Sequence, residues 1–296
     1  MPLPFVKYHG LGNDFILVNA LDRPHLAAAA DLVVALCDRH TGIGADGLAL
    51  VLPTGGADFY MRLSNSDGSV AKMCGNGIRC FTRFVYEAGL WAGRGDLSIM
   101  TDSGLRTTAI IDPTPAHFLV RANLKAPRLA PADVPTTLAP TTADGLVLDA
   151  PLDVDGVAVR VTTLSLGNPH AVVFVDDLAA VDLPQLGPRL ERHPAFPDRA
   201  NVHFVEVVDG QTLRMRTWER GAGVTLACGT GATAATVAAV LTGRGERRTT
   251  VYVSGGQLSI EWDAASDDLY MTGPAARAFD GVVAPELLAT VAAMVT

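Results

Sequence analysis

Cysteine is scarce in this chain. Four in 296 residues, at positions 37, 74, 80 and 228, are too few and too scattered for a disulfide framework. No C-x-x-C pair suggests structural zinc, so reduced thiols are expected. Long apolar runs are missing as well: none reaches the roughly 18 residues of a membrane span. The opening MPLPFVKYHG lacks the charged-then-apolar order of a signal peptide. Nor is there a basic block able to neutralise a phosphate backbone, and the net charge is −8. These absences predict a soluble cytoplasmic protein with neither nucleic acid nor membrane as a partner. The apolar fraction, by contrast, is 49%. A chain of this length can bury roughly three quarters of its unfolded surface, and its length favours two domains.

Period-2 apolar alternation and β-branched content predict strands at FVKYH, DFILVNA, LALVL, FYMRLS, LSIMT, RTTAII and HFLVRA. An Ala-rich helix precedes Arg39. A second helix starts at Cys74 and runs through IRCFTRFVYEAGL, where Ile78, Phe81, Phe84, Val85 and Leu90 recur at helical spacing. APRLAPADVPTTLAPTTADG, rich in Pro, Ala and Thr, reads as an exposed linker or long loop. The outline then repeats. Strands at VAVRVTT, AVVFV, NVHFVEVV, LRMRTW, TVYVS and QLSIEW surround a second cysteine-led helix, GATAATVAAVLT, and a surface helix is expected near LPQLGPRLER. The final YMTGPAARAFDGVV reads as strand returning to the first half.

The pattern predicts an α+β fold of two pseudo-symmetric domains, each a mainly antiparallel sheet wrapped around a central helix. Residues 1–122 with 272–296 would carry Cys74, residues 123–271 would carry Cys228, and the active site would lie in the cleft between them.

The repeated feature is MCGNGIRC from Met73 and ACGTGATA from Ala227. A cysteine just before a helix sits near amide donors that the helix does not satisfy and near the positive end of its dipole. That favours thiolate; thiols stabilised in such ways titrate as low as about 3.5–7.5, against about 8.5 for free cysteine. The following glycines let a ligand approach the backbone, so the same turn can cradle a carboxylate. Alone, a Cys-Gly at a helix start is more often packing or turn chemistry. Two matched sites, each leading the central helix of its half, point instead to a pair of thiols converging on one carbon from opposite sides. That arrangement suits stereoinversion, one thiolate removing a proton while the other thiol donates one. Cys37 and Cys80 lie within apolar helices and are expected in the core.

Over almost its whole length the chain resembles the diaminopimelate epimerases. KYHGLGNDFILVN, DRHTGIGADGL, NSDGSVAKMCGNGIRC, GNPHAVVFV, RANVHFVEV, WERGAGVTLACGTGA and MTGPA look like that family's blocks in that family's order. The resemblance implies interconversion of LL- and meso-diaminopimelate on the way to lysine and peptidoglycan, without pyridoxal phosphate, metal or other cofactor, by a cytoplasmic homodimer. It makes Cys74 and Cys228 the acid/base pair. Amides at Gly75, Asn76, Gly229 and Thr230 would cradle the substrate α-carboxylate, as two helix N-termini can. His170 and Glu219 match positions thought to tune the thiols. Asn65, Asn168, Asn201 and Arg220 match residues holding the distal end, with Glu219 able to meet the distal ammonium, and Asn13 matches another substrate contact. Taken singly, each asparagine would be a turn residue, His170 a structural histidine and Glu219 part of a surface pair.

Three positions depart from the family pattern: Val224 where Glu is usual, Val70 where an acid is common, and Gly47 where some members have glutamine. Two other readings are open. One is a cofactor-independent racemase of another amino acid, such as histidine or 2,4-diaminobutyrate. The other is a non-catalytic amino-acid-binding or redox-switch protein, which would exchange no α-proton.

Overall fold

The period-2 runs form strands throughout the residues that the computed structural model describes, 2–71 and 73–288. In chain order the first elements are β1 (Leu3–Gly10), β2 (Asn13–Asn19), α1 (Ala30–Cys37), β3 (Gly47–Leu52) and β4 (Phe59–Asn65). Then come α2 (Gly75–Glu87), β5 (Leu97–Thr101), β6 (Gly104–Asp112) and β7 (Leu119–Lys125). The middle of the chain forms β8 (Ala150–Val154), β9 (Val157–Ser165), β10 (Pro169–Phe174), α3 (Leu183–Glu191), β11 (Asn201–Asp209), β12 (Thr212–Glu219) and β13 (Gly223–Thr225). It closes with α4 (Gly229–Leu241), β14 (Arg248–Val253), β15 (Gly256–Trp262), β16 (Leu269–Pro274) and β17 (Ala276–Val283). Two compact units result, one ending at Ala122 and resuming at Gly273, the other Asn123–Thr272.

In the first unit β17, β1 and β2 pair antiparallel, β2 runs parallel to β3, β3 antiparallel to β4, and β4 parallel to β5. Antiparallel β6 and β7 complete it. The second unit repeats this order. β9 and β10 are antiparallel, β10 is parallel to β11, β11 antiparallel to β12, and β12 parallel to β14, with antiparallel β15 and β16 following. In both units the long crossover between the second parallel pair contains the cysteine-led helix, so the predicted internal repeat is real at the level of topology. Right-handed packing of a helix on parallel neighbours needs such a connection.

Those helices, α2 and α4, are enclosed. Every residue from Gly75 to Val85, and from Gly229 to Ala239, is buried. A helix surrounded by strands cannot keep a polar stripe. Helix α4 meets the requirement with Ala, Val, Gly and Thr, and touches β9, β10, β11, β12, β14 and β15. Its threonines satisfy themselves: Thr233 donates to the Gly229 carbonyl and Thr236 bonds Thr249 at 2.6 Å. Helix α2 instead buries Arg79 and Arg83 beside Ile78, Phe81 and Val85. On the outer faces α1 packs Leu32, Val33 and Leu36 against β2 and β3, and α3 packs Leu183 and Leu190 against β10 and β11.

Several expectations need adjustment. The first cysteine-led helix stops at Glu87, leaving Leu90 outside it. Gly89 adopts φ +70°, a left-handed value, and the Leu90 amide folds back onto the Val85 carbonyl, which ends the helix. The Pro-rich stretch is a long loop but not an exposed linker throughout. Val134 is fully buried, and Thr136 and Thr137 both donate to the Ala195 carbonyl. The predicted surface helix α3 buries a stripe at Leu183, Gly187, Leu190 and Glu191. Strands β8 and β13 are additional; β8 includes Pro151, which a sheet tolerates at an edge. No helix among the described residues is long and apolar enough to cross a membrane.

Candidate active site

Each cysteine is the N-cap of its enclosed helix. Cys74, at φ −140° and ψ 116°, accepts a hydrogen bond from the Gly77 amide at 3.4 Å. Cys228, at φ −115° and ψ 105°, accepts one from the Gly231 amide at 3.3 Å. Sulfur thus takes the place usually held by a Ser or Asp oxygen, and the first-turn dipoles converge on it. Cys74 is half-buried, while Cys228 is buried. Gly75 and Asn76, and Gly229 and Thr230, open the two helices as expected. Cys37 and Cys80 are core residues; burial pushes both thiols up to about 12, which leaves them protonated and inert.

In the first unit the structure brings Asn13 and Asn76 to Cys74. The Asn13 Oδ1 lies 3.6 Å from the Cys74 Sγ and 3.2 Å from the Asn76 Nδ2. The Asn13 Nδ2 donates to the Asp46 carboxylate at 2.7 Å. Asn65 does not join them: its side chain donates to the Ser69 hydroxyl at 2.9 Å, within the turn that follows β4. The Gly47 departure has a local cause, since a Cβ there would lie 2.5 Å from the Ser64 carbonyl oxygen. Val70 and Val224 are both exposed.

In the second unit Asn201 ties two motifs together. Its Nδ2 donates to the Pro169 carbonyl and its Oδ1 accepts from the Arg220 amide, each at 3.0 Å. The GNPH turn and the WERG turn are thereby held side by side. Glu219 accepts the Thr225 hydroxyl at 2.6 Å, and the Arg220 guanidinium donates to the Asp198 carbonyl at 3.0 Å. Thr230 Oγ1 stands 3.6 Å from the Cys228 Sγ.

His170 is fully buried in a line of four groups. Its Nε2 is 3.0 Å from Asn168 Oδ1, its Nδ1 is 2.8 Å from His203 Nε2, and His203 Nδ1 is 3.0 Å from Thr217 Oγ1. With Asn168 accepting, His170 carries its proton on Nε2, His203 donates from Nε2, and Thr217 donates to His203 Nδ1. The His203 ring also lies where a Gly231 side chain would be, 2.3 Å from its Cβ position, so the first turn of α4 rests on that ring. Burial, then His203, then Arg220 push the His170 imidazole well below its ordinary range, and burial lowers His203 to about 3. Both are neutral at pH 7. His170 therefore acts on its surroundings by hydrogen bonding rather than by charge.

This pair makes stability pH-dependent. Below about 6.5 the unfolded chain protonates both imidazoles while the native state does not. Stability is full above that pH and falls as pH falls toward about 3, where His203 would titrate in the fold. The loss approaches about 1.4 kcal/mol per pH unit for each histidine. Denaturant midpoints measured from pH 7.5 to 5.5 are expected to drop, and to drop less steeply in His203→Gln; equal slopes would contradict this account.

Pattern reading missed His203, Arg79 and Glu191. Glu191, on α3, accepts from the Trp218 indole at 2.8 Å and the Gly221 amide at 3.0 Å, so it brackets Glu219 and Arg220. Its signal was positional: it continues the stripe of Leu183, Gly187 and Leu190. A cavity of about 350 Å³ beside α3, lined by Val159, Val173, Leu186 and Phe204, contains none of the candidate residues. Among the described residues no cluster of three or more His, Cys, Asp or Glu could hold a metal ion.

The family model described as diaminopimelate epimerase matches residues 5–124 and 162–278. Diaminopimelate epimerase 1 of Nostoc sp. is 49% identical over 283 residues, covering 95% of this chain and 99% of its own. The diaminopimelate epimerase of Moorella thermoacetica is 48% identical over 277 residues, covering 94% and 98%. Among solved structures, a hydroxyproline epimerase from Agrobacterium vitis superposes with TM-score 0.69 at 17% identity, covering 96% of this chain and 93% of the other. A PhzF-family protein of Bacillus anthracis gives TM-score 0.66 at 17% identity, covering 96% and 99%. At that identity the likeness is one of fold.

Proposed function

The chain belongs to the diaminopimelate epimerase family, and on that premise we propose how its two cysteine-capped helices interconvert LL- and meso-diaminopimelate. It is an isomerase. The observation that carries the mechanism is the matched pair of N-caps: in each unit a cysteine sulfur accepts the third amide of an enclosed helix. One thiolate removes the α-proton and becomes a thiol; the other thiol delivers a proton to the opposite face and becomes a thiolate. Charge is conserved, and the pair ends with its protonation states exchanged. Between these steps the carbon holds a negative charge that spreads into the α-carboxylate, where amides of Gly75, Asn76, Gly229 and Thr230 stabilise it.

His170 and Glu219 tune the environment of the thiols. Asn65, Asn168, Asn201 and Arg220 hold the distal amino acid group, Glu219 meets its ammonium, and Asn13 makes another contact with the substrate. Rejection of substrates lacking that group follows from leaving these polar partners unmatched. No pyridoxal phosphate or metal takes part, and the active species is a cytoplasmic homodimer. Purified protein incubated with LL-diaminopimelate without added cofactor should generate the meso isomer, followed by chiral chromatography. No conversion, or conversion only after pyridoxal phosphate is added, would refute the reading.

A further inference from the structure

Helix α3 ends on a carboxylate that is almost wholly buried: Glu191 is 2% exposed. Burying a carboxylate is unfavourable unless it is paired or hydrogen-bonded, and an apolar residue would extend the stripe of Leu183, Gly187 and Leu190 without that penalty. An ion pair does not account for it, since its contact with the exposed Arg199 guanidinium is 3.8 Å long. What the carboxylate meets closely is two N–H groups, one to each oxygen. The Trp218 indole donates to Oε2 at 2.8 Å and the Gly221 amide to Oε1 at 3.0 Å. Glu219 and Arg220 are the two residues between those donors. Serving both donors takes two acceptor atoms and no donor, which at this side-chain length means Glu rather than Gln.

Other contacts converge on the same turn. A Cβ at Gly187, one turn back along α3, would lie 2.7 Å from the Trp218 ring, so the helix backbone is pressed against the indole. The Glu191 carbonyl accepts the Ala200 amide at 3.3 Å, next to Asn201. Arg220 is thus tethered at its own amide by Asn201, at the following amide by Glu191 and at its guanidinium by the Asp198 carbonyl. All three tethers come from residues 191–201, the end of α3 and the loop leading into β11. Gly221 takes φ +78°, so the chain turns directly after Arg220, and the Glu191 bond fixes that turn.

We propose that Glu191 is a positioning residue for substrate selection: by gripping Trp218 and Gly221 it sets the place from which Arg220 receives the distal carboxylate. This rests on the reading of Arg220 given above and adds a residue that acts through it. Glu219 has a tether of its own in the Thr225 hydroxyl, so loss of Glu191 is felt first at Arg220.

Steady-state kinetics of Glu191→Gln test the proposal. Glutamine keeps the shape but offers one acceptor, so one of the two donors is left facing an N–H. KM for diaminopimelate should rise about ten- to a hundredfold, the effect of one hydrogen bond to a charged group, with kcat within about threefold of the parent. A merely structural role would leave fewer active molecules, and kcat would fall at constant KM. In an Arg220→Met background the same change should add less than about twofold, because the group it acts through is gone. Trp218→Phe gives up the indole bond and keeps the one to Gly221; it should raise KM about three- to tenfold, and it carries the test if Glu191→Gln does not fold. Without substrate, hydrogen exchange in Glu191→Gln should quicken by about tenfold at the Trp218 indole or the Gly221 amide. Unchanged KM, a fall in kcat at constant KM, unchanged exchange at both donors, or a full additional effect beside Arg220→Met would overturn the proposal. A parent unable to epimerise diaminopimelate would instead sink the proposed reaction, with the exchange data still deciding whether Glu191 holds the turn.

Discussion

Cys74→Ala and Cys228→Ala are each expected to lose stereoinversion by about 10²–10⁴-fold or more, the contribution of one positioned acid or base. Each direction needs a base on one face and an acid on the other, so neither thiol can stand in for its opposite. Both helices would remain folded, because alanine removes only the cap bond, worth about 1 kcal/mol. The same reading sets the isotopic course of the parent in heavy water. From either isomer, the first product molecules should carry deuterium at the inverted carbon while remaining substrate stays largely protiated. The delivered proton comes from a thiol equilibrated with solvent, and the removed one resides on the other thiol. Near-parental epimerisation by Cys228→Ala would refute the two-thiol scheme. So would early product that retained its original α-proton.

Arg220→Met should lower kcat/KM for diaminopimelate by about 10²–10⁴-fold. Two charge-assisted bonds to a distal carboxylate are worth about 1.5–3 kcal/mol each, and each 1.4 kcal/mol is a factor of ten. The position of Arg220 is fixed by its backbone rather than by burial: Asn201 fixes its amide, and Glu191 holds the residues on either side of the Glu219-Arg220 pair. Its side chain is exposed and bonds the Asp198 carbonyl, so the fold should survive the substitution. Arg220→Lys should recover only part of the activity, since an ammonium cannot make the paired contacts of a guanidinium. Unchanged kinetics in Arg220→Met, or comparable turnover of lysine by the parent, would remove Arg220 from substrate selection.

Local pattern reached far into this fold because its strands are either alternating, as in β5 and β16, or short continuous apolar runs, as in β3 and β10, and because both cysteine-led helices announce themselves by Cys-Gly-x-Gly. It failed where the deciding force was not local. Nothing in GVTL or APLDV separates strand from loop until a partner strand is present, as Trp218 is for Val224. The end of α2 depends on Gly89 taking a left-handed conformation, and EAGL alone also permits another helical turn. At the candidate site the motifs named residue types but not their neighbours. Asn13 reaches Cys74 only because β1 and β2 pack on α2, a contact across 61 residues of chain. His203 sits in the continuously buried first half of β11, residues 201–205, where any apolar residue would fit, so its bond to His170 was invisible beforehand.

The pairing of β1 with β17, from Leu3 opposite Val283 onward, also orders events during synthesis. At translation rates of 5–20 residues per second, β1 waits about 15–60 s for its partner. The second unit, continuous from Asn123 to Thr272, has all its strands by then and can close around α4 first. The early sheet must meanwhile keep a long unpaired edge out of contact with other nascent chains, which makes that interval the time of greatest aggregation risk. The last strand to be made is thus also the one that seals the first.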